Sequence, residues 1–471
     1  MSLPSRLLAV TAAVALLIPA CAFLPDAVKP PAEEIVVTAA PVYAPLAALD
    51  GGERFPHGAQ LVRLRAGKAQ PLLAGFAATA DANISFDGER VLFAGKKNAA
   101  DPWQIWELKL GDGSLRQLFA GPGDAIRPFY LPAGQFVFAR RTAAGFQLVA
   151  AGKANAASLA PIDADAAATL TPLTYFPGSA VPSGVLADGR ILFESDFPLG
   201  EGKTPELYLV YSDGSGVESY RCDHGRGRWG GRQLASGDVV FTHGDALGRF
   251  TSPLAHEVPV AAPHAAYAGA IAETPAGDWL VSMRTGPAGR YALTLWKHGA
   301  ATTMRTIYAA AGEDVVDPVP IAPRDRPRRH PSALHPWEYA NLLALDARLS
   351  RAGDLATLPA AVRLETLDAQ GRAVVNGTAP VASDGSFFVK APGNQPIRFA
   401  LLDANGAVVR QERGWFWARG GEQRICVGCH TGPERAAENR VPAVLLQSTT
   451  PADLTGSKTQ ARRPSTAAGG Q

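Results

Sequence analysis

The sequence predicts an all-β protein: a β-propeller of six blades, or seven, followed by a small β-sandwich-like domain that carries a short helical segment. Three observations support this class. A turn-and-strand unit recurs at a regular period, Gly and Pro number 48 and 38 in 471 residues, and a second series of strands follows a proline-rich joint. Abundant Gly and Pro favour short strands and turns over long helices. A hydrophobic content of 47% is sufficient for two domains.

The amino-terminal residues 1–21 have the pattern of a signal peptide. One basic residue, Arg6, precedes an apolar run that ends in Pro-Ala-Cys, and the run is too short to span a membrane. The stretch Ile18–Cys21 is similar to a bacterial lipobox, so we expect Cys21 to carry lipid and anchor the protein to a membrane, with soluble secretion as the alternative. Export places the protein in the periplasm or outer cell envelope. Residues 22–50, rich in Ala, Pro and Val, are predicted to be a flexible linker.

Residues 51–325 contain the repeat that predicts the propeller. Its copies are FDGERVLFAG, PAGQFVFARR, ADGRILFESD, ASGDVVFTHG and PAGDWLVSMR, with glycines at 88, 134, 189, 237 and 277. This spacing matches one four-stranded blade per interval, and further hairpins lie between the copies. A hairpin at residues 58–73 precedes the first copy, and strands near 317–323 are expected to complete its blade and close the ring. The alternative is a two-sheet sandwich.

Residues 326–447 are predicted to form the second domain. The joint at 317–337, DPVPIAPRDRPRRHPSALHPW, is followed by strand patterns separated by Asp-Gly and Asn-Gly turns. The segment PERAAEN (433–439) is expected to form the short helix. Residues 448–471 are polar and poor in aromatic residues, so a disordered tail is predicted.

The stretch RICVGCH (424–430) is the chain's most informative motif. A structural zinc site requires four ligands, and the remaining cysteines, Cys21 and Cys222, are isolated. A dithiol redox switch requires a βαβ context that the preceding residues lack. Cys-x-x-Cys-His is the attachment motif of haem c, in which Cys426 and Cys429 form thioethers and His430 binds the iron as proximal ligand. One covalent haem c is therefore predicted.

Other residues are candidates for the second axial position or for a separate metal. His330 and His335 lie in the joint, beside the predicted haem domain, whereas Met283 and Met304 occur in propeller repeats, where Met is more often core. Cys222 and His224 in RCDHGRGRW form a weak candidate metal cluster, whose alternative is a partly buried cysteine beside a surface loop. Arg226 and Arg228 are expected either to pair with haem propionates or to be solvated.

Charge and motifs exclude several functions. The formal net charge is +2, and no basic run with interleaved aromatics occurs, so nucleic acid is not an expected partner. The sequence has no nucleophile elbow, phosphate-binding glycine loop or His-Glu-x-x-His. Hydrolytic and nucleotide-dependent activities therefore have no support.

The order of elements resembles a known family. The repeats resemble exported TolB-like propellers, and the succession of propeller, joint, DGSFFVKAPGNQPIRFALLDANGAVV (384–409) and GEQRICVGCH (421–430) is similar to the hydrazine synthase alpha-subunit family. The resemblance implies a middle domain whose haem is held by Cys426, Cys429 and His430. This chain has no second Cys-x-x-Cys-His, and the family's namesake carries a second haem in a further domain.

Three functions are consistent with these features. The first is electron transfer to or from a redox partner protein by an exported, lipid-anchored monohaem cytochrome, because one haem leaves no internal store for further electrons. The second, which the resemblance suggests, is a haem enzyme whose open iron site acts on a small nitrogen or oxygen compound. The third is a propeller that serves as an interaction scaffold.

Overall fold

A computed structural model describes residues 34–152, 170–196, 204–221, 225–297, 303–350, 353–412, 414–429, 435 and 438–456. Cys21, Cys222, His224 and His430 lie outside these residues, as do the predicted signal peptide and most of the predicted helix at 433–439. Within the described part of the chain, no helix has the length and apolar character required to cross a membrane.

Six four-stranded antiparallel sheets form the propeller. We number the blades 1 to 6 along the chain. Blade 1 contains β1 (Glu34–Ala40), β2 (Gln60–Arg65) and β3 (Lys68–Pro71), and blade 2 contains β4 (Ala78–Ile84), β5 (Arg90–Lys96), β6 (Gln104–Lys109) and β7 (Leu115–Phe119). The strands of the other blades are, for blade 3, β8 (Ala125–Tyr130), β9 (Phe136–Thr142), β10 (Gly145–Ala151) and β11 (Leu170–Pro172); for blade 4, β12 (Ala180–Val185), β13 (Ile191–Ser195), β14 (Glu206–Val210) and β15 (Glu218–Ser219); for blade 5, β16 (Arg228–Gln233), β17 (Val239–His243), β18 (Ala246–Phe250) and β19 (Val258–Pro259); and for blade 6, β20 (Ala266–Glu273), β21 (Trp279–Arg284), β22 (Ala292–Lys297) and β23 (Thr303–Tyr308), whereas the last strand, β24 (Asp314–Pro320), completes blade 1.

One strand of each blade lies at the centre of the ring: β24 in blade 1 and the first strand in each of blades 2 to 6. Each of β4, β8, β12, β16, β20 and β24 contacts the next, and β24 contacts β4. The repeat glycines lie in the turns that follow these inner strands in blades 2 to 6 and all have positive φ. The apolar residues after each turn form the blade cores, so that the aromatic position of the repeat is fully buried as Phe93, Phe138, Phe193 and Phe241. The prediction of a six-bladed propeller is confirmed.

Ring closure differs from the prediction in one respect. Blade 1 has the order β24-β1-β2-β3, so the end of the domain supplies the innermost strand as expected. The next strand, β1, comes from residues that we assigned to the flexible linker 22–50. That assignment is wrong for residues 34–40, because EIVVTAA pairs with β2 and β24 on its two edges and is almost entirely buried. A strand that is buried on both faces does not show the alternation of apolar and polar residues that identifies a half-buried strand in a sequence.

The second domain is a sandwich of two four-stranded sheets, β31-β25-β28-β32 and β27-β26-β29-β30. Its elements are β25 (Tyr339–Ala344), β26 (Ala361–Leu367), β27 (Ala373–Pro380), β28 (Phe387–Pro392), β29 (Ile397–Leu402), β30 (Val408–Gln411), β31 (Gln423–Cys426), α1 (Ala443–Gln447) and β32 (Ala452–Asp453). Apolar residues from both sheets form one core. The predicted β-sandwich is confirmed.

Most of the helix predicted at 433–439 lies outside the described residues, and the structure contains a short helix, α1, that begins after Pro442. The prediction of a disordered tail requires a correction: residues 448–456 are ordered, because β32 pairs with β28 and Leu454 is buried in the sandwich core. The burial of one apolar side chain, Leu454, orders a segment whose composition is otherwise polar.

Candidate haem-attachment site

Strand β31 positions the Cys-x-x-Cys segment at the edge of a sandwich sheet. It pairs in parallel with β25, with Ala344 opposite Cys426. The backbone continues this pairing past the strand end: Leu345 N donates to Cys426 O at 2.9 Å and Asp346 N donates to Val427 O at 3.1 Å. The first half of the motif is therefore held by the backbone of a rigid sheet.

Both thiols of the motif are free, and they differ in their burial. Cys426 is half-buried, and Cys429 is 9% exposed within the apolar core of the sandwich. Burial raises the pKa of both thiols, that of Cys429 to about 12 with a further contribution from the Glu412 carboxylate. Both cysteines are consequently thiols, not thiolates, at neutral pH, and are poor ligands for a structural metal.

Arg424 lies between the motif and the propeller. It alternates along β31 with the exposed Gln423 and Ile425, so its side chain shares a face with that of Cys426. Its Nη2 donates to Val217 O of blade 4 at 2.5 Å, and its guanidinium lies 5.8 Å from the ring centroid of Phe416. Its Nη1 is buried without a hydrogen-bond acceptor among the described residues. Its charge partly offsets the rise in the pKa of Cys426.

A cavity of about 340 Å³ lies beside the motif. One wall is the segment that pairs with the motif backbone, and the other is the chain that follows the motif. The residues that line it are Leu345, Asp346, Leu349, Arg435, Glu438, Arg440 and Pro442. Arg435 is paired with Asp354 at 2.6 Å, and Arg440 with Asp384 at 2.7 Å. The volume lies within the range of cofactor sites in proteins.

These residues fit a covalently attached haem. Two free thiols stand three positions apart, an apolar core surrounds the second, a cavity adjoins their backbone, and a buried cationic nitrogen near the first lacks an acceptor. A c-type haem requires two thioether anchors, apolar cover for the porphyrin and partners for its propionates. The predicted proximal ligand His430 lies outside the described residues.

The candidate histidines of the joint are engaged in other contacts. The ring of His330 stacks on Tyr211 of blade 4 with centroids 3.7 Å apart, and its Nε2 lies 3.9 Å from a carboxylate oxygen of Asp213. His335 stacks on Trp337 at 4.3 Å, and its Nε2 lies 3.0 Å from Nε2 of Gln423. Since Gln423 is on the exposed face of β31, the structure does not bring His335 to the side chain of Cys426.

The propeller candidates are also remote from the motif. Met283 and Met304 pack against the core of blades 5 and 6. Arg228, predicted to be either a propionate partner or solvated, is neither in this structure, because it is buried beside Glu206 and Glu257 within the propeller. No group of three or more His, Cys, Asp or Glu side chains suited to a metal ion occurs among the described residues, which do not include Cys222 and His224.

Sequence reasoning missed how the motif is attached to the propeller. Trp417 is buried between blades 3 and 4, where it stacks on Phe176. Glu422 accepts from the backbone N of Gly216 at 3.2 Å. The aromatic and charged character of residues 415–424 was visible in the sequence, but the surface that they contact was not.

Comparisons with known proteins agree with this architecture. Residues 353–431, which include both motif cysteines, match the family model of the hydrazine synthase alpha subunit middle domain. The structure of Kuenenia stuttgartiensis hydrazine synthase is similar over 88% of this chain and 71% of that chain, with a TM-score of 0.76 and 18% identity. TolB from Acinetobacter baumannii matches 62% of this chain and 67% of its own, with a TM-score of 0.44 and 14% identity. No curated protein sequence matches the chain. The resemblance indicated by the sequence is confirmed for this domain and for the fold.

Proposed function

We propose that this protein is an exported monohaem c-type cytochrome that transfers electrons to or from a redox partner protein. The observation that carries the proposal is the pair of free thiols, Cys426 and Cys429, at the end of β31 beside a cavity. The match of residues 353–431 to the hydrazine synthase alpha middle domain supports it. Cys426 and Cys429 would hold the haem covalently, and His430 would bind its iron.

When bound, the haem supplies an iron that changes oxidation state by one electron. The chain's own residues bind and shield it. The sandwich core around Cys429 excludes water from the anchored edge, and the backbone bonds from Leu345 and Asp346 hold the anchor in place. Arg424 provides a cation next to the attachment point, and its Nη1 is buried. Such burial and charge are the features by which a protein tunes a haem potential.

A second candidate function is a haem enzyme with an open iron site that acts on a small nitrogen or oxygen compound. The placement of four predicted axial ligands favours it: His330 and His335 are stacked on aromatic rings, and Met283 and Met304 lie in propeller cores. The fold similarity to Kuenenia stuttgartiensis hydrazine synthase is consistent with it. A five-coordinate haem binds small molecules, whereas a six-coordinate haem transfers electrons.

The proposed location is the periplasm or outer cell envelope, with Cys21 as a lipid anchor. The proposal rests on residues 1–21, whose single Arg, apolar run and Pro-Ala-Cys ending are typical of an exported lipoprotein. Expression of the full chain and of Cys21→Ala in a bacterium, followed by fractionation, tests it. Cys21→Ala is expected to move from the membrane fraction to the soluble periplasm; retention on the membrane would contradict the anchor.

Haem attachment is tested by producing the protein with a cytochrome c maturation system and staining for haem after denaturing electrophoresis. We expect a stained band for the wild type, loss of most of the stain in Cys426→Ala and Cys429→Ala, and an unchanged stain in the control Cys222→Ala. A wild-type band without stain would refute covalent attachment. Carbon monoxide added to the ferrous protein then separates the two functions: an unchanged spectrum supports electron transfer, and a shifted spectrum supports an open iron site.

A further inference from the structure

The six inner strands of the propeller share an irregularity that shapes the central channel. Each departs from regular pairing near its middle, so that one to three residues are left out of the ladder. These residues are Asp81–Ala82, Arg127–Pro128, Ser183, Gly230–Gly231, Gly269–Ile271 and Asp317–Pro318. Because β-bulges redirect side chains, a ring of redirected residues faces the axis of the propeller.

Three of these bulges hold side chains in a backbone conformation that favours glycine. Asp81, Arg127 and Asp317 have φ of 59°, 51° and 52°, whereas Gly230 and Gly269 occupy the comparable conformation in blades 5 and 6. A left-handed conformation is tolerated by Asp but is unfavourable for Arg. Strain of this kind persists where surrounding contacts require it and is concentrated at functional sites.

The carboxylates of the channel are already paired. Arg54 binds both Asp81 and Asp317, the latter at 2.7 Å. Arg127 binds Glu194 at 2.5 Å, and the other oxygen of Glu194 accepts from the backbone N of Gly230. Asp81 also accepts from the backbone N of Arg127 at 3.0 Å.

Arg232 makes no direct ion pair with a described carboxylate, although Asp317 and Glu194 attract its charge from farther away. Its Nη1 is buried and has no hydrogen-bond acceptor among the described residues, and its guanidinium lies 4.7 Å from the ring centroid of Phe129. Burial lowers its pKa to about 9, and repulsion by Arg127 contributes in the same direction. A buried guanidinium nitrogen without an acceptor indicates that an ion or water belongs beside it.

A small cavity adjoins this guanidinium. It measures about 20 Å³ and is lined by Arg127, Arg232, Phe129 and the bulge residues of β4, β20 and β24. This volume is sufficient for one water-sized particle. The two arginines are the nearest cations, and the lining carboxylates Asp81 and Asp317 are turned to Arg54.

We propose that a single monatomic anion, chloride in the cell envelope, occupies this cavity and binds Arg232 in the central channel of the propeller. The anion accepts from Nη1 of Arg232 and reduces the repulsion between Arg232 and Arg127. The cavity favours a charged ligand over a neutral water, because both nearby guanidinium groups are desolvated. A monatomic anion suits the volume of about 20 Å³ better than a polyatomic anion such as sulfate. The site is independent of the haem.

Bromide, which has the charge of chloride and a strong anomalous signal, is the probe. Crystals of the full-length protein soaked in sodium bromide are expected to show an anomalous peak in contact with Arg232 Nη1. The peak is expected to vanish in Arg232→Met and to persist in Arg284→Met. Arg284 is a matched control, since it also lies over an aromatic ring, 4.7 Å from the centroid of Tyr291, and has a buried unpaired nitrogen.

Thermal unfolding gives a second measurement in solution. Chloride is expected to raise the unfolding midpoint of the wild type by about 3 °C more than that of Arg232→Met at equal ionic strength, because a ligand of the native state stabilises by mass action. Arg284→Met should respond to chloride as the wild type does, and the comparison between variants cancels the general effect of the salt on folded proteins. A wild-type crystal with no anomalous peak at Arg232, or with a water there in the presence of bromide, overturns the proposal even if Arg232→Met does not fold.

Discussion

Trp417 stacks on Phe176 of blade 3, with ring centroids 5.2 Å apart and planes inclined by 23°. The indole belongs to the segment that leads to the haem motif, and its Nε1 donates to Gly214 O of blade 4 at 3.3 Å. Farther along the chain, Arg424 donates to Val217 O of the same blade. The segment before the motif thus contacts blade 4 as far as Arg424, two residues before Cys426. These contacts with the propeller fix the position of the candidate site.

Replacing Trp417 with Ala is expected to destabilise the protein by about 3–5 kcal/mol, because a fully buried indole leaves a cavity between two blades. The measurement is urea unfolding followed by circular dichroism. Trp337→Ala is the control, since Trp337 is only half-buried and stacks on His335 and Tyr339. Equal losses for the two variants would show that Trp417 does not hold the domains together.

A methyl group at Gly189 is expected to cost more stability than one at Gly237. Both glycines occupy the same turn of the repeat, with φ of 90° and 92°. A Cβ at Gly189 would overlap the carbonyl oxygen of Arg328 in the joint, whereas a Cβ at Gly237 meets no atom within 4 Å. Gly237→Ala therefore reports the backbone strain alone, about 1–2 kcal/mol.

The difference between the two variants measures how closely the joint packs on blade 4. We expect Gly189→Ala to exceed Gly237→Ala in unfolding free energy lost, and to increase cleavage by protease between residues 321 and 338. Identical behaviour of the two variants in both assays would mean that the joint does not rest on this turn.

The haem-free protein is expected to lose stability as pH rises above about 9. Burial raises the pKa of Cys429 to about 12 from its ordinary value of 9.0, so the unfolded chain releases this proton before the folded protein does. Stability is therefore fully present below pH 9 and falls between 9 and 12, with a slope of at most about 1.4 kcal/mol per pH unit from this group.

Urea midpoints of the haem-free protein at several pH values measure this slope. Cys429→Ala, which has no thiol to titrate at this position, is expected to show a shallower fall than the wild type. Iodoacetamide should also label Cys429 slowly at neutral pH, because the reactive species is the thiolate. Rapid labelling of Cys429 in the folded protein would contradict its burial.

Leu454 is expected to be essential to the sandwich although it lies in a polar tail. Its side chain is 2% exposed, whereas Leu446 in α1 is 74% exposed. Leu454→Ala should cost about 2–5 kcal/mol, and Leu446→Ala should lie within about 0.5 kcal/mol of the wild type. Thermal unfolding of the two variants compares them. A neutral Leu454→Ala would restore the assignment of residues 448–456 as a tail without structural role.

Most of the fold was predicted from sequence patterns of neighbouring residues. Each repeat joins a turn glycine to a short apolar strand, and the positive φ at the glycine depends only on the turn in which it lies. The strand β1 was missed because its partners, β2 and β24, flank it from opposite ends of the domain. Leu454 was missed for the same reason, since its core neighbours lie in other strands of the sandwich.

The sequence by itself determined the propeller with six or seven blades, the order of the two domains and the motif with Cys426, Cys429 and His430, because these are patterns of short range and fixed spacing. Only the tertiary structure decided that His330 and His335 stack on aromatic rings, that Trp417 joins the domains, and that Nη1 of Arg232 has no acceptor among the described residues. Each of these depends on atoms that folding brings together from distant parts of the chain. No local spacing encodes such an encounter, since packing and the pairing of buried charges act through space.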